Sequence, residues 1–469
     1  MLKMLNEDRL FPADPETRKV ARRLFAEIEH LPLICPHGHT EPQWFSKNEN
    51  FADPAQLLIV PDHYVLRMLV SQGISLDMLG VPDHTGVAKQ TDGREIWRLF
   101  AENYHLFRGT PSRLWFDYTL EFLFGATDTL SAQNSDAVYD QISACLAEQS
   151  FKPRALFDRF NIEVLATTDA CTDDLKAHRD IRESDWNGRV VPTYRPDAAI
   201  DPDHPDLLNN IEKMGAQTNE KVSTWQGYLN AHRARRTYFK SMGATATDHG
   251  HPSALTADLP LEDCEALYAK VLNGKTSDMD KELFRAQMLT EMAGMSVEDG
   301  LVMQLHPGSV RNHNQSVFKT FGRDKGFDIP KSVSFVDALQ PLLNKYGMDK
   351  RLSLILFTLD ETTYARELAP LAGAYPSLKL GPAWWFHDSP AGMMRYREMT
   401  TETAGFYNTA GFNDDTRAFP SIPARHDVAR RVDCAFLAKQ VTEHLIKEDD
   451  AVEIAIDLTY RLAKQAYNL

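Results

Sequence analysis

Leu31-Pro32-Leu33-Ile34-Cys35-Pro36-His37-Gly38-His39 is an apolar run that ends in two histidines one residue apart. On an extended strand, residues i and i+2 face the same side. His37 and His39 then aim two imidazoles at one point, just where the strand runs out. Two such ligands at a strand end suit a divalent metal at the mouth of a parallel barrel. Taken alone, the run is equally served by two partly buried, hydrogen-bonded histidines. The rest of the chain has to supply further strands and further ligands.

Seven more apolar runs follow, each ending in polar residues. They are 162–169, 189–195, 243–249, 301–306, 352–360, 378–384 and 406–415. The runs at 243–249 and 378–384 are the weakest. Helical patterns lie between them: Leu437, Val441 and Leu445 recur every four residues, and Phe284 to Met295 reads the same way. Strands alternating with helices imply a parallel sheet with right-handed crossovers. Eight of them predict a (β/α)₈ TIM-type barrel, with an open doubly wound sheet as the competitor. Residues 38 to 161 separate the first two runs, far more than one crossover helix needs. This stretch contains segments such as Glu95-Ile96-Trp97-Arg98-Leu99-Phe100, rich in large apolar residues. Residues 1–469 therefore read as one barrel domain, with a helical lobe inserted between strands 1 and 2 at 45–160.

Composition narrows the partners. The formal net charge of -15 comes without a basic stripe, which excludes nucleic acid as a partner. It also means that an anionic substrate needs arginines placed locally. The five cysteines are scattered, without C-x-x-C spacing, and read as reduced thiols in a cytoplasmic protein. Met1 to Asp14 is mixed and charged, with no apolar signal core, and no run reaches the length of a membrane span. No Walker A loop, dinucleotide fingerprint or nucleophile elbow is present. A homo-oligomer is compatible with the sequence.

Barrel enzymes work at the C-terminal ends of their strands. Here those ends read His37/His39, Asp169, Arg195, Asp248/His249, His306, Asp360, Trp384/Trp385 and Asp415. Strands one and eight are neighbours in a closed barrel, so Asp415 converges on His37 and His39. Two imidazoles and a carboxylate make a site for one divalent metal, zinc first, with positions left open. His306 faces the same mouth as a further ligand, a substrate contact or a hydrogen-bond partner of the site; His249 is similar but weaker. Arg195 and Arg417 suit a bidentate clamp on a carboxylate, or else surface salt bridges. Trp384 and Trp385 either line a pocket for a sugar-like substrate or pack in the core. His63 and Tyr64 head the lobe and could handle protons if it folds over the mouth.

Several blocks together resemble the uronate isomerase (glucuronate isomerase) family of the amidohydrolase superfamily. They are His37-Gly38-His39, Asp62-His63-Tyr64, Tyr194-Arg195-Pro196-Asp197, Asp248-His249, His306 to Asn312, Trp384-Trp385-Phe386, Asp415-Thr416-Arg417 and Arg425-His426-Asp427. They run in order over essentially the whole chain. The resemblance implies interconversion of D-glucuronate with D-fructuronate and of D-galacturonate with D-tagaturonate. It implies that His37, His39 and Asp415 hold the metal, that Arg195 and Arg417 bind the uronate carboxylate, and that His63, Tyr64 and the tryptophans surround the reacting end. His306 and His249 join the substrate contacts. Strand four lacks the bridging lysine, and strand six the histidine, of the superfamily's common hydrolases, which favours one metal.

Aldose–ketose isomerisation moves a hydrogen from C2 to C1, either as a proton through a cis-enediol or as a hydride. For the proton route Asp415 is the expected base, with Tyr64 or His63 moving a proton between O1 and O2. Two rivals stand beside this reading. One is a metal-dependent amidohydrolase acting on an amide or ester, which needs no pair of carboxylate-clamping arginines. The other is an inactive sugar-acid binding protein, against which the intact His37, His39, Asp415 and Arg417 argue.

Overall fold

Seven short strands, all parallel to their neighbours, carry the first seven runs in the computed structural model, which describes residues 4–469. They are β1 (Leu33–Cys35), β2 (Ile162–Ala166), β3 (Val190–Val191), β4 (Ala246–His249), β5 (Val302–Leu305), β6 (Leu354–Leu356) and β7 (Leu378–Leu380). The first three residues of the charged N-terminal segment lie outside the described residues. β1 pairs with β2, and β2 with β3. Beyond a short break, Asp169–Ala170 and Tyr194–Arg195 prolong β2 and β3, and the latter pairs with β4. β4, β5, β6 and β7 then follow in sequence order.

The eighth stave closes the ring with little regular strand. Thr409 bridges Leu380 in parallel, and the Ala410 amide donates to the Leu380 carbonyl at 2.8 Å. Further on, the His39 amide donates to the Thr416 carbonyl at 2.9 Å, which ties this stave back to the first. The expected strand over 406–415 is cut short for a local reason. Gly411 sits at φ 74°, and a Cβ there would lie 2.8 Å from the Ala463 amide nitrogen. Only glycine lets the backbone turn this close to the C-terminal helix Leu462–Ala466. The result is a (β/α)₈ barrel, with Ile34, Val164, Ala166 and Val191 in one apolar cluster with Ala463. Leu437 is buried in the helix Ile422–Thr442, whereas Leu445 falls past its end and is exposed.

Between β1 and β2 the chain is helical. Seven α-helices run from Pro42–Lys47 to Pro153–Arg159. Aspartates start three of them: Asp53, Asp62 and Asp92 each accept two first-turn amides, a cap that contributes about 1 kcal/mol. Ile96, Trp97 and Phe100 are fully buried and share one apolar cluster with Leu33, Cys35, Ile162 and Leu165 of β1 and β2. That shared cluster seats the lobe on the barrel. It brings the N-terminus of the helix His63–Ser71 to the barrel mouth.

Candidate active site

At the floor of the mouth, three side chains meet. The Asp415 Oδ1 atom lies 3.1 Å from His39 Nε2 and 3.5 Å from His37 Nε2. The two imidazole planes are perpendicular, with ring centres 5.4 Å apart. Asp415 reaches this place from a left-handed backbone at φ 44°, a conformation most residues avoid. The Trp384 indole N–H donates to its Oδ2 at 3.0 Å, which leaves Oδ1 turned to the histidines.

The set fits a divalent cation. Two donors about 2.0–2.1 Å from one tetrahedral ion sit about 3.3 Å apart, as these do. Asp415 Oδ1 is buried without a hydrogen-bond partner, although charged acceptors are costly to leave unpaired. Burial pushes the Asp415 carboxyl up, but the facing imidazoles of His39 and His37 outweigh it and hold the pKa below the usual carboxylate range. Burial, together with the Arg417 charge, pushes the His39 imidazole down to about 4, so it is neutral and able to ligate at neutral pH.

A second carboxylate stands beside the first set. Asp248, at the end of β4, is fully buried. Its Oδ1 lies 2.7 Å from His306 Nε2 and 4.0 Å from His37 Nδ1, and its Oδ2 lies 3.3 Å from Arg195 Nη1. Burial raises the Asp248 pKa, yet His306, Arg195 and His37 together hold it well below the usual range. Asp248 therefore stays charged and links the histidine floor to Arg195. The Arg195 Nε donates to Asp197 Oδ2 at 2.9 Å, so two carboxylates fix this guanidinium.

The lobe supplies the opposite wall. Asp62 caps the helix His63–Ser71, so His63 and Tyr64 sit at its first turn, and both line the cleft. The Tyr64 ring packs edge-on to Trp115 at 5.3 Å, and its hydroxyl donates to the Trp385 carbonyl at 3.3 Å. Burial pushes the Tyr64 phenol well above its ordinary pKa, so it carries its proton. Burial and the Arg417 charge push His63 down to about 3.

Together these walls enclose a cleft of about 380 Å³. Its rim carries Arg195, Arg311, Arg323, Arg417 and Arg425. Among the described residues, Arg417 makes no ion pair within 4 Å.

Nine of the eleven residues expected here line this cleft with little surprise: His37, His39, His63, Tyr64, Arg195, His306, Trp385, Asp415 and Arg417. Trp384 lines it too, but its indole N–H holds Asp415 as well. His249 does not reach it. Alternate strand residues face opposite sides, and it is Asp248 of β4 that points into the mouth. His249 is fully buried behind the wall, with Nε2 3.0 Å from Thr247 Oγ1. Asp169 and Asp360, also noted at strand ends, are absent from the lining. Asp169 accepts from Thr167 at 2.7 Å, and Asp360 accepts from Thr362. Three residues given no role from sequence matter here: Asp248, Asp388 and Arg425. The strand register, which only the structure supplies, reveals the first: β4 pairs Asp248 with Gln304, two residues before His306 and on its face.

The family model described as Glucuronate isomerase matches residues 2–467. The chain belongs to the glucuronate isomerase family. It is 63% identical over 466 residues to the uronate isomerase of Rhizobium meliloti (strain 1021), covering 99% of both chains. The crystal structure of glucuronate isomerase from Caulobacter crescentus superposes with a TM-score of 0.98 at 58% identity, covering 99% of this chain and 97% of that one. The uronate isomerase of Thermotoga maritima still superposes at 0.92 with 28% identity, covering 99% of each chain. A glucuronate isomerase family member is an enzyme, and the barrel with its lobe is the family's fold.

Proposed function

We propose that this chain interconverts D-glucuronate with D-fructuronate and D-galacturonate with D-tagaturonate. One observation carries the reading. A donor set of two imidazoles and a carboxylate sits beneath a rim on which Arg417 lines the cleft and, among the described residues, makes no ion pair within 4 Å, its charge being felt by Asp324 only at longer range. A hydrolase needs the first feature but not the second, and the relatives at about 60% identity are isomerases.

His37, His39 and Asp415 would hold one divalent ion, zinc first among those that suit two nitrogens and an oxygen. When bound, it would act as a Lewis acid toward the sugar's oxygens. Arg417 takes the uronate carboxylate as a charge-assisted, forked pair, with Arg195 beside it. Anchoring that end fixes where C1 and C2 lie. Asp415, held ionised, takes the C2 proton and, once the enediol has formed, returns a proton to C1. Tyr64, held protonated, donates at O1 and recovers a proton from O2, giving the cis-enediol and then the ketose. His63, neutral at working pH, lies beside Tyr64 as an acceptor for the same proton. Each such group contributes roughly 10²–10⁴-fold. The five unpaired cysteines agree with a cytoplasmic setting.

The test is NMR of aldose uronates incubated with enzyme as purified and after chelation. Appearance of the 2-ketose, lost on chelation and restored by one equivalent of metal, is the expected result. No turnover of either uronate by the metal-loaded enzyme would overturn the reading.

A further inference from the structure

The wall behind Tyr64 holds a buried charge pair to which the mechanism above assigns no task. Arg425, on the helix Ile422–Thr442, is 2% exposed, and Asp388, just past β7, is 3% exposed. Arg425 Nη1 donates to Asp388 Oδ2 at 3.0 Å and to the Asp414 carbonyl at 3.1 Å. The guanidinium carbon lies over the Trp115 ring, 3.8 Å from its centre, and over the Tyr64 ring at 5.2 Å. Arg425 borders the cleft, its Nε has no partner, and neither does Asp388 Oδ1.

This is a costly arrangement for a structural pin. Burying this pair loses hydration that the bond between them does not restore, so that burial lifts the Asp388 carboxyl to about 7 against the pull of Arg425, and apolar residues of equal volume often serve stability as well. Three separate elements also converge on one phenol. The lobe brings Tyr64 and Trp115, the segment after β7 brings Asp388, and the helix after the eighth stave brings Arg425.

We propose that Arg425, anchored by Asp388 and clamped against Trp115, is a positioning residue that seats the Tyr64 phenol and stabilises it when its proton is transferred. The inference rests on the reading of Tyr64 as the proton shuttle. A guanidinium over an aromatic face favours extra electron density in that ring, as a phenolate has. Its charge also opposes the effect of burial on Tyr64 more than any other neighbouring group does. The other charged groups near this phenol are Asp62 at the helix cap, Arg67 one turn further along that helix, Asp388, and Asp415 across the cleft. Arg425 is the cation that faces it most directly. The pair also explains how a lobe from the first β–α connection keeps a proton-handling group in register with the eighth stave.

The test is a double-mutant cycle on the metal-loaded enzyme. Tyr64→Phe should lower kcat about 10²-fold, within the range for a positioned acid–base group. Arg425→Met should lower kcat about 10–100-fold with KM changed less than about threefold, because it acts through Tyr64 and not on substrate binding. In the Tyr64→Phe background the Arg425→Met loss should shrink to about threefold or less. Millimolar guanidinium should restore part of kcat to Arg425→Ala only when Tyr64 is present. Asp388→Asn, which preserves shape, should lower kcat about 3–10-fold and serves if the Arg425 variants do not fold. An undiminished Arg425 or Asp388 effect in the Tyr64→Phe background overturns the link between them. Wild-type kcat in Tyr64→Phe overturns the shuttle assignment itself, and the inference with it.

Discussion

Replacing Arg417 by methionine removes a charge while keeping an unbranched chain of similar length. The magnitude follows from the guanidinium's surroundings. It is half-buried, lines the cleft, and has no ion-pair partner among the described residues. An exposed pair is worth about 0–1 kcal/mol, and truncating a buried, hydrogen-bonded one costs about 2–5 kcal/mol. The intermediate position gives about 2–3 kcal/mol, or about 30–160-fold in kcat/KM.

Most of that loss should fall on KM, since the carboxylate is bound alike in substrate and transition state. Initial rates with glucuronate and galacturonate measure it directly. The selective assay compares two inhibitors, an anionic sugar acid and the neutral polyol of the same stereochemistry. Only the acid should weaken, by the same 30–160-fold estimated from the charge pair. Thermal stability should stay unchanged, because no protein ion pair is broken. Equal weakening of acid and polyol would refute the reasoning, since Arg417 would then be shaping the cleft and not reading charge.

His37→Asn with His39→Asn should abolish metal binding measured by elemental analysis and leave the circular dichroism unchanged, since the barrel core lies below them; a full metal complement would sink the ligand assignment. Asp415→Asn should be nearly inactive, and in D₂O the wild-type ketose should carry deuterium at C1; wild-type turnover by Asp415→Asn ends the base assignment. Trp384→Phe, which removes the indole N–H held by Asp415 Oδ2 together with part of the ring, should lower kcat about 10–160-fold, the worth of one hydrogen bond to a charged group, and unchanged kcat would show that the contact is idle. Burial pushes His232 down to about 3, so below pH 6.5 the unfolded chain takes up a proton that the folded one refuses. Stability present above pH 6.5 is therefore lost as pH falls toward 3, and His232→Gln should flatten that loss by at most about 1.4 kcal/mol per pH unit, read from unfolding at pH 7 and 5. An identical slope in the variant would remove His232 from the account.

The barrel was legible because each apolar run ends in polar residues, and parallel strands buried on both faces need such runs. Strand length was less legible. The run at 352–360 yields only Leu354–Leu356 as strand, because Asp360 turns the chain by bonding Thr362. The eighth stave failed as a strand because a distant residue, Ala463, forces a glycine turn at Gly411, which no local pattern reveals. Residue type alone favours His249 over Asp248 as a site residue. The pairing with β5 decides which of the two faces the mouth, and a single sequence does not contain that pairing. Arg425 and Asp388 were hidden differently. They lie 37 residues apart and meet only because the helix after stave eight packs beside the segment after β7.

Charge explains why so many buried ions collect here in a protein of net charge -15. A uronate would be repelled at long range by that balance, so attraction has to be local and short-ranged. The cleft answers with five lining arginines, three of them paired with carboxylates, whereas Arg323 and Arg417 make no ion pair within 4 Å among the described residues. Arg195 is held by Asp197 and Asp248, Arg311 by Asp328, and Arg425 by Asp388. Those three are compensated before substrate arrives, so their charge is spent on fixing geometry. Arg417 is left with its charge directed at the cleft, two residues beyond Asp415 on the same turn. On the proposed reading, a single backbone segment would carry both the cation for the carboxylate and the base for C2. The spacing of those two groups is then set by the left-handed turn at Asp415. That coupling makes the loss at Arg417 selective for charge, and it predicts that substitutions altering the turn, such as Thr416→Gly, impair kcat and KM together.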